Sequence, residues 1–249
     1  MKRIRSLRGP VPDLTAYQGT GRAARWDGFQ GTDAHTRLLD ALQSLQHNLC
    51  AYCEIGLVPD DRQVEHVVPK GSVAGKSREF DPENLVACCL GGTNPRLAAS
   101  GDGGARFWDP PVEYRSCGQA KGNAVVPEFV DPRTIPAGPP IIRVAANGKV
   151  RPDPEGCARA GVDPDRVRRT IRALNLNSHR LQAARKVRWD ALEDAWRSDA
   201  DDGAALVEAA RDELLPDAAG RLRAFFTTAR WFFGAAGERV LAEPPQVWI

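Results

Sequence analysis

Apolar residues at helical spacing predict a helical C-terminal third of the chain. Asp163 followed by Pro164 is typical of a helix start. The apolar face of that helix would consist of Val167, Ile171 and Leu174. Further helices are predicted at about residues 178–197, 203–215 and 217–241. The last of them would bury a set of apolar residues, Leu222, Phe225, Phe226, Ala229 and Phe232.

The N-terminal part of the chain has a weaker apolar pattern. Residues 1–31 are rich in Gly, Arg and Pro and predict an irregular arm. A helix follows, with Thr32 or Asp33 as its cap. Its apolar face would consist of Leu38, Leu42 and Leu45.

Shorter elements are predicted in the middle of the chain. Residues 62–70 predict a short strand and turn, and residues 81–90 predict the start of a helix capped by Asp81. Asn147-Gly148 lies between two short apolar runs, which indicates a β-hairpin.

Four segments follow from these patterns. We expect an N-terminal arm and helix over residues 1–48 and a compact core over residues 49–127. A linker with the β-hairpin would cover residues 128–160, and a helical C-terminal domain would cover residues 161–249.

Composition narrows the class of protein. The chain has 249 residues and a formal net charge of +2, which excludes a uniformly basic nucleic-acid coat protein but not a local basic surface. No apolar run approaches the ~18 residues that cross a membrane, and the N-terminus lacks the apolar segment of a secretory signal. We therefore expect a cytoplasmic protein without membrane contact. Its six cysteines would then serve metal binding or packing rather than disulfides.

The spacing of the cysteines indicates a metal site. Cys50 and Cys53 are separated by two residues, the spacing of a zinc knuckle. Cys117 lies in a turn of small residues. We predict a structural zinc bound by Cys50, Cys53, Cys89 and Cys117. Three alternatives remain open: Cys88 replaces Cys89, His47 is a ligand, or Cys88 and Cys89 are only buried small apolar residues.

Between the cysteines lie residues suited to phosphodiester hydrolysis. Glu65 directly precedes His66, and Asn84 follows downstream. An imidazole titrates near neutral pH and can take a proton from water. A hard divalent cation would neutralise charge on the phosphate. The simpler alternative is an ordinary exposed His on a surface strand.

The order of these motifs resembles that of the HNH endonucleases: a CxxC pair, an acidic residue beside His, an Asn-Leu, then further cysteines. The resemblance implies an α+β fold, with a ββα-metal core held by zinc knuckles and a helical C-terminal region. It assigns His66 as the general base and Glu65 as a ligand of a catalytic Mg²⁺ or Mn²⁺. Asn84 would organise the loop that carries the base, and Lys70 and Lys121 would contact backbone phosphates.

One position departs from the HNH pattern. The family often has His or Asn directly after the last cysteine as a second metal ligand, and this chain has Gly118 there. Gln119 or Asn123 could reach the metal instead, and Asn123 is the expected ligand. The departure leaves open a catalytically decayed, zinc-stabilised adaptor that binds nucleic acid or protein.

A narrower resemblance covers about residues 1–197. The motifs CAYCE, EHVVPK, ENLVACC, CGQAKGN and LNLNSHRL resemble those of PtuB-like HNH proteins, the nucleases of Septu and retron-associated anti-phage systems. So does the opening of the chain, with Pro12, Tyr17 and Trp26. The resemblance implies DNA as substrate, an ABC/SMC-like (PtuA-like) ATPase as partner, and an oligomer within such a complex. An HNH restriction enzyme and an RNA-cleaving toxin are the alternatives among nucleases.

Basic residues are concentrated in one stretch. Residues 165–188 contain eight Arg and Lys residues and one acidic residue. Such stretches bind phosphate backbones in a salt-dependent way. We therefore expect nucleic-acid contacts from Arg168, Arg172 and Arg185. A solvated helix face and a protein interface are the alternatives.

Overall fold

The computed structural model of the chain describes residues 1–19, 24–93, 111, 114–136, 138–196 and 203–243. These residues form helices and two small sheets, so the fold class is α+β, as predicted. The first helices are α1 (Pro12–Gln18), α2 (Trp26–Phe29), α3 (Asp33–Leu45), α4 (Val73–Lys76) and α5 (Cys117–Lys121). The later helices are α6 (Pro154–Ala160), α7 (Pro164–Ala173), α8 (His179–Trp196), α9 (Gly203–Leu214) and α10 (Phe226–Ala242). The strands are β1 (Gln63–His66), β2 (Leu85–Cys88), β3 (Ile142–Val144) and β4 (Val150–Pro152).

Strands β1 and β2 form one antiparallel sheet, in which Glu65 lies opposite Val86 and His66 opposite Leu85. Every residue of β2 is buried. Helix α3 packs against this strand. The Gln46 side chain, just beyond α3, donates to the Ala87 carbonyl and accepts the Ala87 N–H, each at 2.8 Å. The sheet is therefore supported by α3 from one side.

Strands β3 and β4 form the predicted hairpin, with Asn147-Gly148 in its turn. Gly148 has φ +78°, a conformation that glycine adopts without steric cost. A Cβ at Gly148 would lie only 2.8 Å from the carbonyl carbon of Gln182. Glycine at this position thus permits both the turn and its close contact with α8.

The prediction of an irregular N-terminal arm was wrong. Residues 12–18 and 26–29 are helical, and apolar side chains from this segment are buried in the main core. They are Met1, Ile4, Leu14, Trp26 and Phe29. Bulky apolar residues gain more from burial than the intervening Gly and Arg residues lose, so the segment packs instead of staying free.

The helix predicted to start at Asp81 is a single 3₁₀ turn, Pro82–Asn84. The Asp81 side chain caps it by accepting the Glu83 backbone N–H at 2.9 Å. The chain then enters β2, because pairing with β1 and complete burial favour an extended conformation for residues 85–88.

The C-terminal helices pack in a second apolar cluster. Helices α9 and α10 make the most extensive helix–helix contact among the described residues. Helix α10 begins at Phe226, not near residue 217, since Asp217 and Arg221 close a turn before it. Of the residues predicted to be buried there, Phe232 is only partly buried. The main core contains residues from all four predicted segments, whose boundaries remain predictions.

Within the described residues, no helix combines the length and the apolar character that a membrane crossing requires.

Candidate active site and metal centre

Four buried cysteine thiols converge beside the β1–β2 sheet. Cys50 and Cys53 lie in the turn before β1, which closes with a 2.9 Å bond from the Cys50 N–H to the Ile55 carbonyl. Cys89 directly follows β2, and Cys117 begins α5. The Sγ atoms are 3.7 Å apart for Cys53–Cys89 and for Cys89–Cys117, and 3.9 Å apart for Cys50–Cys117.

This arrangement fits a tetrahedral metal. A Zn–S bond of about 2.3 Å gives a sulfur–sulfur edge of about 3.8 Å in a regular tetrahedron. All four Sγ atoms lie within 4.8 Å of one another, so they could bind a metal such as zinc. Cys88 also approaches Cys50, at 3.8 Å, but it is not part of this group. Cys157 bonds the Ile141 carbonyl elsewhere in the core.

Two buried arginines of α8 carry positive charge toward the thiols. Burial lowers the pKa of Arg180, but negative charge on Cys89 and Cys53 outweighs it and raises that pKa overall. Arg185 donates to the Leu176 carbonyl at 2.7 Å, and burial lowers its pKa. The predicted nucleic-acid contact of Arg185 is therefore wrong for this conformation, because its guanidinium is buried. Arg168 and Arg172 are exposed on α7, and Arg168 pairs there with Asp165.

Glu65 is held by a buried lysine. The Lys121 ammonium lies 2.7 Å from Glu65 Oε1 and also donates to the His66 and Val67 carbonyls, at 2.6 and 3.0 Å. Each of the three N–H groups of the ammonium thus has an oxygen acceptor. Burial raises the pKa of Glu65 although Lys121 opposes that rise. With its side chain 1% exposed, Lys121 is placed to hold Glu65 and the β1 backbone, not to contact a phosphate as predicted.

Gly118 leaves the space that Glu65 occupies. A Cβ at Gly118 would lie 2.7 Å from the Glu65 carboxyl carbon, closer than real Cβ atoms approach. A larger residue at this position would therefore force the Glu65 carboxylate out of its observed position.

His66 is buried and fixed in one tautomer. Its Nε2 lies 2.9 Å from the Glu79 carbonyl, which can only accept, so Nε2 carries the proton and Nδ1 is the basic nitrogen. Trp26 packs edge-on against the imidazole at 4.6 Å, and its backbone N–H donates to the Glu79 carboxylate at 3.1 Å. Burial lowers the pKa of His66 and so favours the neutral imidazole.

Asn84 joins the two ends of the segment that follows β1. Its Oδ1 accepts the Val68 N–H at 2.8 Å, and its Nδ2 donates to the Val68 and Arg78 carbonyls at 3.0 and 3.1 Å. The side chain is completely buried. It thereby fixes the loop that follows β1.

Glu65 and His66 line the same cavity, of about 370 Å³. Lys70 lies at its rim and pairs with Asp27. The side chains of Gln119 and Asn123 also line it. Glu65 is the one carboxylate among the described lining residues. One carboxylate with amide oxygens suits Mg²⁺, which usually keeps waters and substrate phosphates as its other ligands.

Sequence reasoning missed three residues around His66. Trp26 and His35 line the cavity, and Glu79 supplies the carbonyl that fixes the imidazole. The role of the Glu79 carbonyl could not be predicted, because every residue type has a backbone carbonyl. Trp26 and His35 lie far from His66 in sequence, so only the tertiary packing of the N-terminal segment reveals them.

Two retron-associated proteins are similar in sequence to the chain. No family model matches the chain. The chain is 29% identical over 189 residues to the predicted HNH endonuclease of retron Ec83 from Escherichia coli, covering 70% of this chain and 73% of that protein. It is 28% identical over 159 residues to the predicted HNH endonuclease of retron Vc95 from Vibrio cholerae serotype O1 biovar El Tor, covering 64% of this chain and 65% of that protein. These similarities support an HNH nuclease family for the chain.

Proposed function

We propose that the chain is a metal-dependent HNH endonuclease that hydrolyses phosphodiester bonds in DNA. The observation that carries the proposal is the fixed His66 imidazole, which lies in one cavity with Glu65 and has Nδ1 as its basic nitrogen. The similarity to two retron HNH endonucleases supports the same reaction class.

The reaction follows from the groups in the cavity. His66 Nδ1 takes a proton from the attacking water, while the Glu79 carbonyl holds Nε2–H and fixes the ring. Asn84 keeps the loop after β1 in place, and Lys121 holds the Glu65 carboxylate. Lys70, at the rim, binds a phosphate of the substrate strand once it leaves Asp27.

Glu65 and Asn123 would hold the catalytic cation. Both residues line the same cavity, and carboxylate and amide oxygens are the donor types that a hard cation prefers. Bound Mg²⁺ or Mn²⁺ would neutralise the charge that develops on the phosphate and on the leaving oxygen.

The cysteine cluster would hold a structural zinc. Zn²⁺ with four thiolates carries two net negative charges, which are costly in a buried site unless compensated. The two buried arginines, Arg180 and Arg185, supply two positive charges beside it. This balance explains why part of the basic stretch faces inward.

An anti-phage role with an ATPase partner is the biological context that we propose. It rests on the resemblance to PtuB-like proteins and on the retron association in the names of the two relatives. An assembly with an ABC/SMC-like ATPase would license cleavage only when needed.

A substrate panel tests the function. Wild type, His66→Ala and Glu65→Gln are incubated with plasmid DNA, single-stranded DNA and RNA, with Mg²⁺ or Mn²⁺, alone and with the co-purified partner. We expect wild type to cleave DNA and His66→Ala to lose about 10²- to 10⁴-fold in rate.

Other results would redirect the proposal. Cleavage of RNA alone would replace DNA as substrate and favour an RNA-cleaving toxin. Nucleic-acid binding that His66→Ala leaves unchanged, with no cleavage by any protein and any metal, would favour the adaptor. Equal cleavage by wild type and both variants would place the reaction elsewhere.

A further inference from the structure

A second cavity, of about 570 Å³, lies where the β3–β4 hairpin meets the first turns of α8. Among the described residues, it shares no lining residue with the cavity of Glu65 and His66. Its volume is in the range of small-molecule sites. Its lining is unusual in composition: it has four carboxamide side chains, one exposed tyrosine and two basic side chains, and the described lining includes no acid.

The walls of this cavity are held rigidly. Asn177 bonds the Val150 backbone twice, at 2.8 and 2.9 Å, which ties β4 to the segment before α8. Gly148 packs directly on α8, where a Cβ would lie 3.0 Å from the backbone nitrogen of Lys186. The cavity is therefore preformed, so a ligand would not have to order it.

One end of the cavity suits a phosphate. It lies at the N-terminus of the 18-residue helix α8, where backbone N–H groups and the helix dipole favour an anion. Ser178 is 4% exposed and lines the cavity, and its buried Oγ has no hydrogen-bond partner among the described residues. His179 lines the same end. Lys186 lines the cavity two helical turns further along α8, and it pairs with Asp190 outside the lining.

The rest of the cavity suits a nucleobase. Tyr114 is 42% exposed and lines it, offering an aromatic face for stacking. The carboxamides of Asn147 and Gln182 also line it. Asn147 uses its oxygen to accept the Lys149 N–H, and Gln182 uses its amide nitrogen to bond the Asn177 carbonyl. Within the part of the chain that the structure describes, this leaves the Asn147 amide nitrogen as a donor and the Gln182 amide oxygen as an acceptor, the pair that reads a base edge.

We propose that this cavity binds a nucleotide, with the phosphate at the N-terminus of α8 beside Ser178 and His179 and the base between Tyr114 and the two carboxamides. Lys186 supplies a positive charge further along the same helix. The nucleotide is either free or an unpaired unit of a nucleic-acid strand. The proposal does not depend on cleavage at His66.

Calorimetry and fluorescence anisotropy test the proposal on the full chain. The probes are AMP, CMP, GMP and UMP, inorganic phosphate, and labelled single-stranded DNA and RNA hexamers. We expect saturable binding of at least one nucleotide or hexamer, weakened about tenfold by Tyr114→Ala and by Lys186→Ala. Lys149→Ala removes an exposed charge next to the cavity and should leave the affinity unchanged.

The probes separate the two sources and the alternatives. Hexamer binding without mononucleotide binding assigns the cavity to a strand, and mononucleotide binding assigns it to a free ligand. Binding of inorganic phosphate as tight as any nucleotide, or binding that Tyr114→Ala and Lys186→Ala leave unchanged, would overturn the proposal. So would no saturable binding of any probe. His66→Ala should abolish cleavage and leave this binding intact, so failure of one proposal is distinguishable from failure of the other.

Discussion

The β1–β2 sheet with its cysteine cluster and the α9–α10 pair are both buried, but different interactions hold them. Around the sheet, the buried residues include Asn84, Lys121 and His66, each with named polar partners. The α9–α10 pair packs through an apolar cluster that includes Leu214 and Phe233. Gly237 lies so close to Leu214 that a Cβ there would be 3.0 Å from its Cδ1.

Because different interactions hold the two regions, substitutions should destabilise them in different ways. A buried polar group that loses its partner costs about 1–3 kcal/mol, because the remaining group stays desolvated. Apolar packing is more tolerant in chemistry and depends on volume. We therefore expect the sheet to fail by loss of a specific partner and the helices to fail by loss of volume.

The largest effect should come from metal removal. Chelation of zinc, or Cys53→Ser, should unfold the β1–β2 region, since metal binding to such clusters contributes on the order of 10 kcal/mol. Hydrogen exchange should rise in β1 and β2 and stay slow in α9 and α10. Metal content is measured in parallel by mass spectrometry, with about one zinc per chain expected.

Cys157→Ser is the matched control, since Cys157 is equally buried but outside the cluster. It should keep its zinc. A well-folded wild-type protein without zinc would contradict the metal centre.

Loss of volume between the helices should come next. Leu214→Ala should lower the free energy of unfolding by about 2–5 kcal/mol, because Leu214 is fully buried in the second cluster. Below its melting temperature the variant should keep its zinc and its cleavage rate. Loss of zinc at full folding would show that the two regions are not separable in this way.

Loss of the Asn84 side chain, which holds the loop after β1, should have a smaller effect on stability. Asn84→Ala removes three side-chain hydrogen bonds and should cost about 1–3 kcal/mol. Cleavage should fall by more than this cost explains, since the loop after β1 would be free to move. Asn84→Asp keeps the acceptor for the Val68 N–H but sets a buried carboxylate oxygen against the Val68 and Arg78 carbonyls. Its stability and single-turnover rate should therefore fall at least as far as those of Asn84→Ala.

The smallest effect should come from the exposed basic face. Arg168→Ala and Arg172→Ala should leave stability nearly unchanged and lower the slope of log affinity against log salt by about 0.7–0.9 per phosphate contact. Arg211→Ala, on α9, removes an arginine that pairs with Glu243 and should leave the slope unchanged. Equal slopes in all three variants would move the nucleic-acid contact elsewhere.

The sequence predicted the helices that carry long apolar faces, with α7 and α8 within a few residues of their observed bounds. It failed where tertiary contacts decide. The residues after Asp81 enter a strand because β1 lies beside them, and the N-terminal segment folds because Trp26 and Phe29 find a core. Neither β1 nor the core can be deduced as a packing partner from the local sequence pattern.

The candidate site shows the same division. The cysteine spacing and the resemblance to HNH endonucleases together singled out Glu65, His66, Asn84 and the cysteines, and the structure brings them to one sheet. The inward direction of Arg185 and the burial of Lys121 could not be predicted, because a basic residue looks the same in sequence whether it faces a phosphate or a thiolate.

The most direct test of the account compares two histidines in one cavity. His66 and His35 both line it and both pack against Trp26, but only His66 is fixed by the Glu79 carbonyl. Single-turnover cleavage is measured for His66→Ala and His35→Ala on the substrate that wild type cleaves. The account predicts a loss of about 10²- to 10⁴-fold for His66→Ala and a change of less than about tenfold for His35→Ala. Equal losses, or a greater loss for His35→Ala, would contradict His66 as the general base.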